Sequence, residues 1–298
     1  MIKINITENI VDEFYLSIKK LFDNKLKKIE NKKENFNISY SDIDTLINKK
    51  LNNFDKDINL EKLVKADYKY MKKLVDFINK NPKRHELSKI EKKYFFTMYE
   101  RLQKAEFIKK INIQTCPYCN RNYIFNFTRN NKQEATAQLD HFFDKSKYPY
   151  LAVSIYNLVP SCNVCNQRKS SKQEDIFYPY EESFNDSVKF KYNYENLSKI
   201  KIEFDIKYNE EKVNNHIEIF NLEHLYNEHK DIVLELIQKR EIYPDSYIDE
   251  LTNQYPNMFN NKEDVLRLIT CGYVDDKDLH KRPLSKLIKD ISEQLELI

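Results

Sequence analysis

The chain has 298 residues, 50 basic and 47 acidic side chains, a formal net charge of +3 and one glycine, Gly272. A single glycine excludes a GxxxxGK[ST] phosphate loop and a GxGxxG dinucleotide turn within these residues, because both need glycines where backbone approaches phosphate. With 41% hydrophobic and 13% aromatic residues the chain has the material for a folded core despite being 33% charged. Only 8 of the basic residues are arginine, and the excess of Lys, Asn, Ile and Tyr reads as AT-rich coding bias, which accounts for part of the glycine scarcity.

No apolar run of about 18 residues is present, so no membrane-spanning helix is expected. The opening Met1 to Asn9 lacks a basic segment followed by a long apolar one, and a reducing cytoplasm is the expected setting. The net charge is too small for the whole surface to bind a polyanion. Arg101 to Lys172, however, carries 12 basic against 4 acidic residues, a local +8 that leaves −5 for the rest.

In chain order, residues 1–110 read as mainly helical. Leu60, Leu63, Val64, Tyr68, Met71, Leu74, Val75 and Ile78 follow a 3.6-residue period that predicts one helix from Leu60 to Ile78, ended by Pro82. Leu87 to Ile108 reads as the next helix, and the run Lys25 to Lys33 as a solvated helix face. Residues 111–175 change character, with short apolar pieces, four cysteines and a cluster of Asn, Asp and His. In residues 176–298, Val188 to Tyr192 and Ile200 to Tyr208 alternate as two strands. Helices are then expected over Leu222 to Ile242, Lys262 to Leu268 and Leu284 to Leu297, and Leu279 to Lys289 reads as a capped, solvated helix start, with a basic DNA contact as the alternative. The class is α+β, with helical flanks around a small central core.

Four of five cysteines form two pairs, Cys116-Pro-Tyr-Cys119 and Cys162-Asn-Val-Cys165. In a cytosolic protein two CxxC pairs predict a tetrahedral structural zinc site, each knuckle aiming two thiolates at one ion. The alternative is two unrelated buried or redox pairs, and a thioredoxin-type motif explains only one of them. Cys271 is left over and reads as a buried core thiol.

Between the knuckles lie Asp140-His141, after a β-like stretch from Ala135 to Leu139, and Asn157. A helix beginning near Ser161 puts Cys162, Cys165, Asn166 and Lys169 on one face, so the metal knuckle anchors the helix that presents Asn166 and Lys169. Leu139-Asp140-His141 followed by Asn157-Leu-Val-Pro-Ser-Cys162-Asn-Val-Cys165-Asn166-Gln-Arg-Lys169 resembles the HNH endonucleases of the ββα-metal type, in the subgroup pinned by a four-cysteine zinc. The resemblance covers about a fifth of the chain, from Cys116 to Ser171.

It implies a Zn²⁺ held by Cys116, Cys119, Cys162 and Cys165. It implies a catalytic Mg²⁺ or Mn²⁺ on Asp140 and Asn166, His141 as general base with a rate rising through an imidazole pKa near 6.5, and Asn157 tying the loop and orienting the imidazole. Lys145, Lys147, Arg168 and Lys169 are the implied nucleic-acid contacts, with DNA as the substrate and RNA left open. Many members carry a glycine pair after the histidine, whereas here the loop is Asp144-Lys-Ser-Lys-Tyr-Pro-Tyr150, in which Tyr148 and Tyr150 either stack on bases or fill core. Chains of this kind with helical arms resemble the nuclease subunits of anti-phage systems such as the Septu type, which implies a partner ATPase. Two other readings stand beside it, a zinc module that binds nucleic acid without cleaving it and an inert structural subunit. A nucleobase deaminase is disfavoured because His141-Phe-Phe lacks the glutamate of H-x-E.

Overall fold

The structure, a computed structural model, describes residues 1–23, 38–172, 174–185, 187–194 and 200–298. The run Lys25 to Lys33 lies outside the described residues. The N-terminal part is helical: α1 (Glu8–Asp23), α2 (Tyr40–Leu51), α3 (Leu60–Val64), α4 (Tyr68–Lys80), α5 (Pro82–His85), α6 (Lys89–Glu100) and α7 (Lys104–Ile111). The single helix expected from Leu60 to Ile78 is two, because the Asp67 carboxylate accepts from the Tyr70 amide and starts α4 afresh. The helix expected from Leu87 to Ile108 also divides, with α6 opened by a Ser88–Glu91 capping box and α7 by a new turn at Gln103.

Three two-stranded antiparallel sheets follow, β1 (Asn126–Arg129) with β2 (Lys132–Ala135), β3 (Gln138–His141) with β4 (Leu158–Ser161), and β5 (Val188–Tyr194) with β6 (Ile200–Ile206). The β1–β2 hairpin was not foreseen, and the stretch expected to run from Ala135 to Leu139 is split between β2 and β3. Its turn residues Asn130 and Asn131 both have positive φ, as a two-residue hairpin turn requires. Six of the ten non-glycine residues with positive φ among the described residues are asparagine, so in this glycine-poor chain asparagine takes the left-handed positions. The one glycine answers a packing demand, since a Cβ on Gly272 would meet Ile288 Cγ2 at 2.7 Å.

Helix α8 (Asn163–Lys169) packs on β3. The C-terminal part comprises α9 (Glu210–Phe220), α10 (Leu222–Asn227), α11 (Lys230–Ile242), α12 (Asp245–Gln254), α13 (Lys262–Thr270) and α14 (Ser285–Gln294). The expected helix from Leu222 to Ile242 is broken between α10 and α11. Among the described residues no helix is long and apolar enough to cross a membrane.

Among the described residues nearly all the buried apolar side chains form one cluster from Met1 to Leu297, and it closes around the first CxxC turn. Tyr226 on α10 donates to the Cys119 carbonyl at 2.6 Å and His216 on α9 bonds the Tyr118 carbonyl at 2.9 Å. Asn120, held at positive φ, donates to the Leu279 carbonyl and accepts from the Lys286 amide. The segment expected to be a solvated helix start is therefore packed on this turn: Leu279 is fully buried and the His280 carbonyl accepts from the Gln114 amide. Cys271, expected in the core, is exposed and caps α13 in a left-handed conformation.

Candidate metal centre and histidine site

The four paired cysteines are buried and their sulfurs lie within 4.8 Å of one another. A tetrahedral zinc with sulfurs at about 2.3 Å separates them by about 3.8 Å, and Cys119 Sγ stands 4.0 Å from Cys162 Sγ. Burial pushes the Cys116 thiol up and bonding from Cys116 pushes Cys165 up, while thiol donors led by Cys116 hold Cys119 and Cys162 down. A divalent cation removes that conflict by letting all four ionise. Three N–H groups already point at the sulfurs, from Arg121 to Cys119 at 3.4 Å, and from Cys165 and the Asn122 amide to Cys162 at 3.5 and 3.3 Å. The cluster fits a metal ion such as zinc.

Cys162 is also the N-cap of α8, so the knuckle fixes the helix start. The face of α8 predicted from spacing meets β3. Lys169 reaches Asp140, with Nζ 3.1 Å from Oδ2 and 3.4 Å from Oδ1, and donates to the His141 carbonyl at 2.9 Å. Lys169 is 2% exposed and Asp140 4% exposed. The expectation that Lys169 meets a phosphate is thus corrected, because its ammonium is spent inside the protein on a carboxylate that burial would otherwise leave unpaired.

Asp140 has a second partner that sequence reasoning missed. Tyr118, within the first CxxC, donates its hydroxyl to Asp140 Oδ2 at 2.7 Å from a fully buried position. Burial pushes the Asp140 carboxyl up, and the Lys169 charge and the Tyr118 hydroxyl pull it back down. Asn166 does not join this carboxylate; its amide donates to Gln138 Oε1 at 2.6 Å. The Asp140 carboxylate expected to share a catalytic divalent ion with Asn166 is instead closed by the Lys169 ammonium, beside which a second cation would be repelled. The donor set as arranged does not fit such an ion.

His141 ends β3 and is 8% exposed. Its Nε2 lies 3.0 Å from the Ala152 carbonyl, which only accepts, so Nε2 carries the hydrogen and Nδ1 the lone pair. Burial pushes the imidazole down to about 3, so it is neutral throughout the physiological range. The expected rise in rate near pH 6.5 presupposes an ordinary imidazole, and burial lowers this one. Tyr99, another residue sequence reasoning did not single out, packs its ring edge-on to the imidazole at 4.5 Å and donates to the Leu139 carbonyl at 3.2 Å.

Asn157 is fully buried and clamps the loop between β3 and β4. It accepts from the Phe143 amide at 2.7 Å and donates to the Phe143 and Leu151 carbonyls at 3.0 and 2.9 Å. The residue after Leu151 is Ala152, whose carbonyl holds His141, so Asn157 bears on the imidazole through the loop and not by touching it. Tyr148 and Tyr150 are core side chains, donating to Asn79 and to the His85 carbonyl. Lys147 and Arg168 are exposed and Lys145 is half-buried.

No protein-family model matches the chain, and no solved structure matches it. The Septu protein PtuB of Bacillus thuringiensis is 33% identical to it over 82 residues, 26% of this chain and 29% of PtuB. The chain thus spans less than a third of that curated relative's length, and the likeness is local.

Proposed function

We propose that the chain is a nuclease component of an anti-phage defence system, hydrolysing phosphodiester bonds of nucleic acid, DNA in the first instance, with His141 as general base. The observation that carries this reading is the fixed tautomer of His141: a neutral imidazole at a strand end, Nε2 tied to Ala152, Nδ1 left as the basic nitrogen. The antiparallel β3–β4 pair followed by α8, with four thiols at the helix start, supports it, as does the Asp-His, Asn and Cys-x-x-Cys-Asn-x-x-Lys signature. The local likeness to a Septu protein supports the defence setting.

In this reading zinc on Cys116, Cys119, Cys162 and Cys165 is structural and holds α8 against β3. His141 Nδ1 takes a proton from the attacking water. Tyr99, Asn157 and the Ala152 carbonyl keep the ring in place. Lys147 and Arg168 are exposed cations suited to phosphate contacts that position a strand without reading it. Since these residues contain no glycine-rich phosphate loop, a nucleotide-driven trigger belongs to a partner, an ATPase in this proposal.

The test is cleavage of supercoiled DNA, with and without Mg²⁺ or Mn²⁺, by the wild-type chain and by His141→Ala, alongside the metal content of each. Cleavage lost in His141→Ala supports the proposal, and equal cleavage by both proteins sinks it. One observation favours a second reading, a zinc-pinned binding or structural subunit without catalysis: the Asp140 carboxylate is closed by Lys169. Nucleic-acid binding with no cleavage in either metal, unchanged by Asp140→Ala, would establish that alternative.

A further inference from the structure

We propose that Lys104 and Lys145, gathered over the ring of Tyr99, form the site that holds a backbone phosphate of the nucleic-acid strand beside His141. The inference rests on the nucleic-acid reading above and deepens it by naming the anion site. Lys104 Nζ lies 3.9 Å and Lys145 Nζ 4.1 Å from the Tyr99 ring centroid, so the two ammoniums are at most 8.0 Å apart. Lys145 also lies 5.8 Å from the Phe96 ring. The lysines come from different elements, the first residue of α7 and the loop after β3, and only the tertiary structure joins them.

Neither ammonium has a carboxylate within ion-pair distance among the described residues. The nearest acids are engaged elsewhere or open to water: Asp144 accepts from the Ser146 amide and hydroxyl, and Glu100 is exposed. Both lysines are held below the usual range, by burial first, with the Lys104 charge acting next on Lys145. Two half-buried cations on one ring without a paired carboxylate repel each other, and an anion bound beside them relieves that repulsion. The α7 N-terminus adds in the same sense, since Gln103 makes no side-chain cap and the first-turn amides keep their partial positive charge.

The position suits a substrate phosphate. The same Tyr99 ring touches His141 at 4.5 Å, which places the Lys145 ammonium within 8.6 Å of the imidazole centroid. That is within about three nucleotide steps of 3.4 Å along a strand.

The experiment compares Lys104→Met, Lys145→Met and the double variant with the unaltered lysines, all in the full-length His141→Ala chain so that cleavage does not intrude. Methionine keeps the apolar stem on Tyr99 and removes only the charge. Anisotropy of a labelled 20-base duplex and single strand, at 50 to 200 mM salt, is expected to show roughly tenfold weaker binding for each single variant at low salt. The slope of log K against log salt should shrink by about 1 for each lysine. Melting temperatures of the variants should stay level or rise, since an unpaired cation is lost.

Unchanged affinity and slope overturn the proposal, as does absence of binding at 50 mM salt. A fall in melting temperature in both single variants overturns it too, because the lysines would then be serving an internal partner. Cleavage is scored separately in the His141-containing chain: reduced slopes without any wild-type cleavage keep the phosphate site and reject the nuclease, whereas cleavage with unchanged slopes does the reverse.

Discussion

Tyr118→Phe tests the link between the metal knuckle and Asp140 with a change of one oxygen atom. The phenol donates to a carboxylate at 2.7 Å, both groups are buried, and the phenylalanine ring fits the stack that Tyr118 makes on Phe220 at 4.7 Å. A hydrogen bond to a charged group contributes about 1.5–3 kcal/mol, and the acceptor left behind has no water to replace it. With unfolding entropy of about 2.1 cal/mol/K per residue, a chain of this length should lose about 2–5 °C in Tm. Calorimetry on metal-loaded protein reads this directly. A double-mutant cycle with Asp140→Asn should show a coupling of about 1 kcal/mol or more. A Tm shift under 1 °C, or no coupling, would refute the view that the knuckle tyrosine holds this carboxylate.

The remaining predictions concern the metal, the loop and acid stability. The purified chain should carry one zinc per molecule by elemental analysis, and a strong chelator or Cys165→Ser should unfold the region around β3 and α8; structural zinc contributes on the order of 10 kcal/mol, comparable to a whole domain's stability. Retention of the native melting profile after complete metal removal would contradict this. Asn157→Ala removes the three hydrogen bonds of a fully buried side chain and should cost about 2–4 kcal/mol in denaturant unfolding; a loss below 1 kcal/mol would mean that the loop holds itself. His216 is fully buried and burial pushes it down to about 3, so it is neutral in both states above pH 6.5, whereas below that pH only the unfolded chain takes up the proton. Stability is therefore present above pH 6.5 and lost as pH falls toward 3, by up to about 1.4 kcal/mol per pH unit. His216→Gln should lower that slope by about one proton, and an unchanged slope between pH 6 and 4 would count against the assignment.

Much of the site was legible because local spacing dictates it. Two CxxC turns name four thiols, and the i, i+3, i+4, i+7 spacing of Cys162, Cys165, Asn166 and Lys169 fixes one helix face wherever that helix lies. The α+β class followed from the same periodicities. Helix boundaries were less legible, since a polar cap such as Asp67 or Ser88 interrupts an apolar period without changing it.

What the sequence by itself determined is chemical inventory and order: two cysteine pairs, an Asp-His pair between them, a basic middle stretch, and no glycine for a phosphate loop. Only the tertiary structure decided which groups spend their charge on each other. Lys169 and Tyr118 close on Asp140 because an isolated buried carboxylate is too costly to leave without partners, while Lys104 and Lys145, 41 residues apart, converge on Tyr99 with no carboxylate to pair them. Pairing energies depend on distance and burial, and neither is written in the spacing of residues along a chain.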